Sequence, residues 1–288
     1  MNKLRVSPAA LAKRRFLSRA LGGSSALLLA GCDRLNDSTW FPKVLAAGES
    51  LNRVTHHALG GRDALAQEFT EADLSPSFRG NGNTDPDSED YKALAANGFA
   101  DWKLVVDGLV AQPAELSLAQ LRAMPSRTQI TRHDCVEGWS AIGQWTGVPL
   151  AQVLAAAQPK PQARYVVFHC ADAFGQGDDE TPYYESIDMH DAYHPQTILA
   201  YGLNGKDLPV TNGAPLRLRV ERQLGYKHAK YLMRLELVEN FTAIGDGKGG
   251  YWKTRATSGT RGFESRSRSG LRARLRVWTV GQSFPIQV

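Results

Sequence analysis

Short strand-forming runs, each closed by a polar or glycine-containing turn, recur between residues 102 and 238 and constrain this chain more than any other feature. Trp102-Lys103-Leu104-Val105-Val106 runs into the turn dipeptide Asp107-Gly108. Thr128–Asp134, Arg164–Cys170 and Leu232–Val238 predict three further strands. Ile198–Leu203, Asn204-Gly205 and Lys206–Val210 predict a hairpin with a type I′ turn. Leu216, Leu218 and Val220 alternate with Arg217 and Arg219, which predicts a strand with one apolar and one basic face. Only two helices interrupt this pattern. Ser117 and Gln120 form a capping box ahead of a helix closed by Pro125. Pro149 stands at the first position of a second helix reaching Ala157. The fold class is therefore α+β, with one strand-rich domain over 91–250 and short helices. A regular βαβ rhythm, a glycine-rich phosphate loop and an internal repeat are all missing from the sequence.

The chain ends differ from this body. Lys13-Arg14-Arg15-Phe16-Leu17 precedes an apolar stretch through Leu27-Leu28-Leu29, in the order of an export signal. That basic run resembles a twin-arginine signal, with Lys13 at the first arginine, and such signals export folded proteins. Leu29-Ala30-Gly31-Cys32 resembles a lipoprotein box, so cleavage before Cys32 and lipidation of its sulfur are expected. Asp33 resembles the residue that retains such proteins at the inner membrane, which makes the expected location the periplasmic face of that membrane. Residues 32–90, with the loop Asn81-Gly82-Asn83-Thr84-Asp85-Pro86-Asp87, read as a tether and irregular lead-in. Residues 251–288 read as a basic, disordered tail.

Charge follows the same division. The chain of 288 residues has net charge +5, but residues 1–31 carry six Lys/Arg and no acid, and residues 254–288 carry seven Arg and one Glu. The body between them is left at −7, which argues against nucleic acid as a partner. Three cysteines are too few for a disulfide scaffold.

Three clusters in the body carry possible chemistry. Cys135 follows a strand in His133-Asp134-Cys135-Val136-Glu137-Gly138-Trp139-Ser140, where Gly138 permits a sharp turn. A projecting thiolate there is a soft metal ligand, and Asp134 and Glu137 are acid/base candidates. From residue chemistry alone, a buried inert cysteine between ordinary loop carboxylates is the simpler reading. Arg217, Arg219, Arg222, Lys227, His228 and Lys230 form either a phosphate pocket or a solvated basic face. His190 and His194 have the spacing of zinc ligands on a helix, but Pro195 ends any helix there.

Taken together, Cys135-Val136-Glu137-Gly138-Trp139-Ser140, Trp145-Thr146-Gly147-Val148-Pro149-Leu150, Asn204-Gly205-Lys206 and Asn212-Gly213-Ala214-Pro215-Leu216-Arg217-Leu218 resemble the sulfite-oxidase-fold molybdopterin oxidoreductases. Within them the likeness is to the periplasmic branch that includes methionine-sulfoxide reductase catalytic subunits. The resemblance implies a molybdenum-molybdopterin cofactor with Cys135 as the protein's metal ligand and Glu137 beside it as a catalytic group. Cys170 stands where that branch has a threonine touching the cofactor. Asn212 and Arg217 match cofactor-binding positions, and His228-Ala229-Lys230 matches the segment that anchors the cofactor's phosphate. Phe78-Arg79-Gly80-Asn81 resembles the loop lying over the pterin. The sequence contains no haem motif and leaves little room after residue 250 for another domain. A separate electron-transfer partner, a membrane haem protein or a cytochrome, is therefore expected. A small-molecule oxide such as a sulfoxide is expected as substrate. Sulfite would call for a cation beside the metal, for which Arg132, Arg222 and Lys227 are the candidates. A sulfite dehydrogenase, and a molybdopterin-binding lipoprotein without turnover, remain as alternatives.

Overall fold

A computed structural model describes residues 63–135, 137–174, 181–247 and 249–252, together with isolated positions between 38 and 55. The signal over 1–31, Cys32, and the basic residues after 252 lie outside the described residues. The chain divides into two compact units, residues 1–64 and 65–288. In the first, Val44 N donates to Trp40 O at 3.1 Å. The second carries ten strands and, among the described residues, four short α-helices. In chain order they are α1 (Glu89–Ala96), β1 (Lys103–Gly108), β2 (Ala114–Ser117), α2 (Leu118–Ala123), β3 (Arg127–Asp134), β4 (Ser140–Pro149), α3 (Leu150–Ala157), β5 (Tyr165–Phe174), β6 (Thr181–Asp188), α4 (Met189–Ala192), β7 (Thr197–Leu203), β8 (Lys206–Asp207), β9 (Arg217–Val220) and β10 (Leu232–Val238).

Two five-stranded sheets result. One has the order β2-β1-β10-β5-β6; the other runs β3-β4-β7-β8, with β9 also paired to β7. All pairs are antiparallel except β1 with β10, whose connection spans most of the domain. Trp102, Leu104 and Val106, alternating along β1, enter the main core with Phe168, Leu232, Leu235 and Leu237. A smaller core gathers Trp145, Ile198, Ala200, Leu203 and Leu208, with Phe78 packed against it.

The local signals are realised closely. Ser117 Oγ accepts from Gln120 N at 3.2 Å, and Gln120 Oε1 accepts from Ser117 N at 2.8 Å, as a capping box requires. Asn204 and Gly205 have φ of 51° and 73°, the paired left-handed conformations of a type I′ turn. Beyond this turn β8 is only two residues long, because Pro209 opens a 3-10 turn at Val210–Asn212.

Several expectations are corrected. Pro149 closes β4 and caps α3, which starts at Leu150; β2, β4 and β6 are additional strands. β9 has no solvated face: Arg217 and Arg219 are fully buried. The lead-in is no tether from Leu65 onward. Phe69 N donates to Ile130 O at 2.9 Å and Ser75 N to Ile142 O at 3.1 Å, so it lies along the second sheet. At the other end, Tyr251 is buried against Phe174 and Tyr183, so the body extends past residue 250. The helix over His190 ends at Ala192, short of His194, and no group of His, Cys, Asp and Glu among the described residues could hold a metal ion by itself. No helix among them is long and apolar enough to cross a membrane.

Candidate active site

β3 and β4 pair to their last residues, Asp134 with Ser140, so the link between the strands that starts at Cys135 is short. Cys135 N donates to Trp139 O at 2.9 Å and Gly138 N to Cys135 O at 3.0 Å. Gly138 has φ of 85°, a left-handed conformation that glycine adopts without strain. The backbone therefore holds the half-buried, free Cys135 at a fixed place on the lip of a cleft. Asp134 is committed to this turn, accepting from Ser140 Oγ at 2.6 Å and pairing with Arg132.

The cleft brings together residues far apart in the sequence. Asn81, Gly82 and Asn83 form one wall. Asp172 and Phe174 at the end of β5, with Tyr183 on β6, form another. Tyr226, His228 and Lys230 close the floor, and Trp252 stands at the rim. Lys230 holds the first wall in place: its Nζ donates to Asn81 O at 2.6 Å and also to Asn83 O. Tyr231 OH adds a bond to Asn83 O at 3.1 Å. Glu137 accepts from Trp139 Nε1 at 2.9 Å and Gly82 N at 3.3 Å. The Trp139 bond, aided by that of Gly82, keeps Glu137 below the usual carboxylate range and therefore ionised.

Polar groups around this space are desolvated and incompletely matched. Burial, with Arg219 next, keeps His228 neutral. Its Nε2 donates to Gln223 O at 3.1 Å, which leaves Nδ1 as an acceptor without a partner among the described residues. Asn81 Oδ1 and Asp172 Oδ1 are likewise buried and unmatched. Burial pushes Asp172 up, and it pushes Lys230 down with help from Arg217. Arg217 spends Nη1 on Asn212 O at 2.9 Å and Nη2 on His228 O at 3.4 Å, while its Nε has no partner among the described residues. Burial and the neighbouring Arg219 lower its pKa to about 9. Native interiors rarely leave so many groups unmatched in one place. A molybdopterin would bring ring N–H donors to Asn81 Oδ1 and His228 Nδ1, a phosphate to the cations and sulfur ligands to the metal beside Cys135. The donor set fits that group.

The residues singled out from the sequence divide into two shells around the cleft. Cys135, Glu137, Asn81, His228 and Lys230 line it. Phe78 instead packs against Trp145, with ring centroids 5.0 Å apart, and Arg79 lies over Trp139 at 5.4 Å. Gly80 permits a close approach, since a Cβ there would lie 2.6 Å from Thr211 O. These three shape the wall from behind. Asn212 is buried, with Nδ2 reaching Phe78 O at 3.4 Å, and Ala229 joins β9 by accepting from Leu218 N at 2.8 Å. Cys170 departs from expectation. It lies inside β5, which continues to Phe174, and it is packed in the core instead of lining the cleft. Asp172, two residues on, lines the cleft in its stead. Sequence reasoning missed Asp172, Phe174, Tyr183, Tyr226 and Trp252. The one available signal was Gly249-Gly250-Tyr251-Trp252, an aromatic pair after flexible glycines.

The two-sheet α+β domain thus gathers a presented thiol, buried cations and unmatched hydrogen-bonding groups around one cleft. Residues 92–243 match the model of the oxidoreductase molybdopterin-binding domain, and the chain belongs to that family. It is 37% identical over 244 residues to an Azospira oryzae protein provisionally named protein-methionine-sulfoxide reductase subunit YedZ1, covering 84% of each chain. It is 35% identical over 238 residues to the protein-methionine-sulfoxide reductase catalytic subunit MsrP of Xanthomonas axonopodis pv. citri, covering 78% of this chain and 70% of the relative. The sulfane dehydrogenase SoxCD of Paracoccus pantotrophus gives a partial structural likeness, with 24% identity, a TM-score of 0.41 and coverage of 48% of this chain and 38% of that one. The protein is thus an oxidoreductase enzyme, and its cofactor is molybdopterin with molybdenum.

Proposed function

We propose that the enzyme reduces a small neutral oxide, a sulfoxide of the methionine type, by removing its oxygen with two electrons and two protons. The observation that carries this reading is the placement of charge. Arg132, Arg222 and Lys227, the cations that sulfite would need, pair with Asp134, Asp191 and Glu185 respectively, and none of them lines the cleft. Glu137, held ionised, lines it instead, and a fixed carboxylate repels a dianion while tolerating a neutral dipole. Phe174, Tyr183 and Trp252 add aromatic surface suited to a sulfur-bearing side chain. The names of the relatives point to the same substrate class.

In this reading Cys135 ligates the molybdenum, Lys230 and Arg217 face the cofactor's phosphate, and Asn81, Asn212 and His228 offer hydrogen bonds to the pterin. The cofactor, when bound, supplies the two-electron oxygen-atom chemistry. Residues of the chain orient it, exclude water and hold protons; Glu137, being ionised, fixes the wall at Gly82. The electrons come from a separate partner, a haem protein or cytochrome. We place the enzyme at the periplasmic inner membrane, exported folded and anchored through lipidated Cys32.

Paired assays on one preparation test the direction. Reduced viologen with methionine sulfoxide should give turnover, and sulfite with ferricyanide or cytochrome c should give little. Vigorous sulfite oxidation without oxide reduction would reverse the assignment.

A further inference from the structure

Asp172, which the sequence did not single out, has the buried Lys230 as its charged neighbour. It sits at the end of β5, where the pairing with β6 is interrupted between His169 and Ala173, so this stretch leaves the regular ladder. Its side chain lines the same cleft as Cys135 and Lys230, yet the residue is only 2% exposed. Oδ1 has no hydrogen-bond partner among the described residues. A buried carboxyl oxygen left unmatched is a cost to the fold. We propose that the carboxyl group of Asp172 is the internal acid of this cleft, donating a proton to the oxygen of the bound oxide as it leaves sulfur.

This rests on the reductase reading above. Overall, the sulfoxide takes up two electrons and two protons to give the thioether and water. The sulfur–oxygen bond breaks, sulfur is reduced, and the electrons come by way of the molybdenum centre from the partner that reduces it. Asp172 supplies one proton; the second, and the one that recharges Asp172, enter from solvent at the mouth.

The surroundings favour the protonated form. Burial pushes Asp172 up to about 7, against the opposing pull of the Lys230 ammonium. On β6, Glu185 faces this region with its charge matched by Lys227 at 2.5 Å. Glu137, which lines the same cleft, is ionised. The tyrosines Tyr91, Tyr183 and Tyr231 and the thiol of Cys170 are all raised chiefly by burial and stay neutral, as does His228, which is lowered. Glu137 cannot play this part, since the Trp139 bond keeps it ionised.

The sign of the pH dependence follows. An acid must be protonated to donate, so kcat for sulfoxide reduction should fall as pH rises through about 7. In the molybdenum-loaded enzyme, Asp172→Asn should lower kcat about 100-fold or more and abolish that fall, with molybdenum content unchanged. Asp172→Glu should recover much of the rate and keep the fall. Infrared titration of the molybdenum-loaded enzyme gives a readout independent of turnover: a protonated carboxyl band at neutral pH in the parent, absent from Asp172→Asn. A variant that keeps both the parent rate and the parent pH profile, or a parent without the band, overturns the proposal. If Asp172→Asn does not load cofactor, Asp172→Glu and the parent's infrared titration decide. A parent that turns over sulfite but no oxide would instead overturn the reductase reading, whatever the band shows.

Discussion

Cys135→Ser leaves a folded protein that does not turn over. The turn carrying residue 135 is made by backbone bonds, Cys135 N to Trp139 O and Gly138 N to Cys135 O, and by the Asp134–Ser140 end of the hairpin. None of these uses the sulfur, so the change of S to O should cost little stability. A serine hydroxyl is a hard, weakly acidic ligand, whereas a thiolate is the soft donor that a molybdenum–dithiolene centre shares. The expected outcome is an unchanged thermal transition with activity lost. Near-parent activity in a correctly folded Ser variant would remove Cys135 from the metal.

The second large effect separates two cations that the sequence grouped together. Arg217→Ala should destabilise the protein even without cofactor, because it strands Asn212 O and His228 O and removes a guanidinium stacked 5.0 Å from the Trp145 ring. Each stranded carbonyl costs about 1–3 kcal/mol. A total of about 3 kcal/mol lowers the midpoint by roughly 6–12 °C in a domain of this size. Lys230→Met keeps the apolar stem and loses the ammonium, which releases the Asn81–Asn83 wall and the positive charge in the cleft. It should melt near the parent and retain much less molybdenum after gel filtration. Equal molybdenum in parent and Lys230→Met, or an unshifted melting curve for Arg217→Ala, would contradict this division.

Local chemistry was what the sequence disclosed best. The Ser117–Gln120 capping box, the Asn204-Gly205 turn and β10 are governed by neighbours within a few residues, and all three form as read. β4 and β6 were invisible because their residues do not alternate by hydropathy. β6 carries Pro182, Glu185 and Ser186, yet it is mostly buried once Lys227 and the 249–252 segment cover it. The same distinction governs the site. Cys135, Glu137 and Lys230 were legible through ordered motifs, but whether Arg217 and Arg219 face water depends on Trp145 lying between them, a contact across 72 residues or more. Asp172 was missed for a related reason: an aspartate at a strand end reads as a surface residue until the chain beyond it folds back. Cys170 shows the converse, a polar match by position that the core absorbs.

The occupant of the cleft beside Cys135 decides the enzyme's chemistry. The direct measurement is metal and pterin analysis of the protein purified from a host that makes molybdenum cofactor. The fit of the donor set predicts about one molybdenum per chain, released together with a pterin on denaturation. Folded protein that carries zinc or no metal, and no pterin, would contradict it.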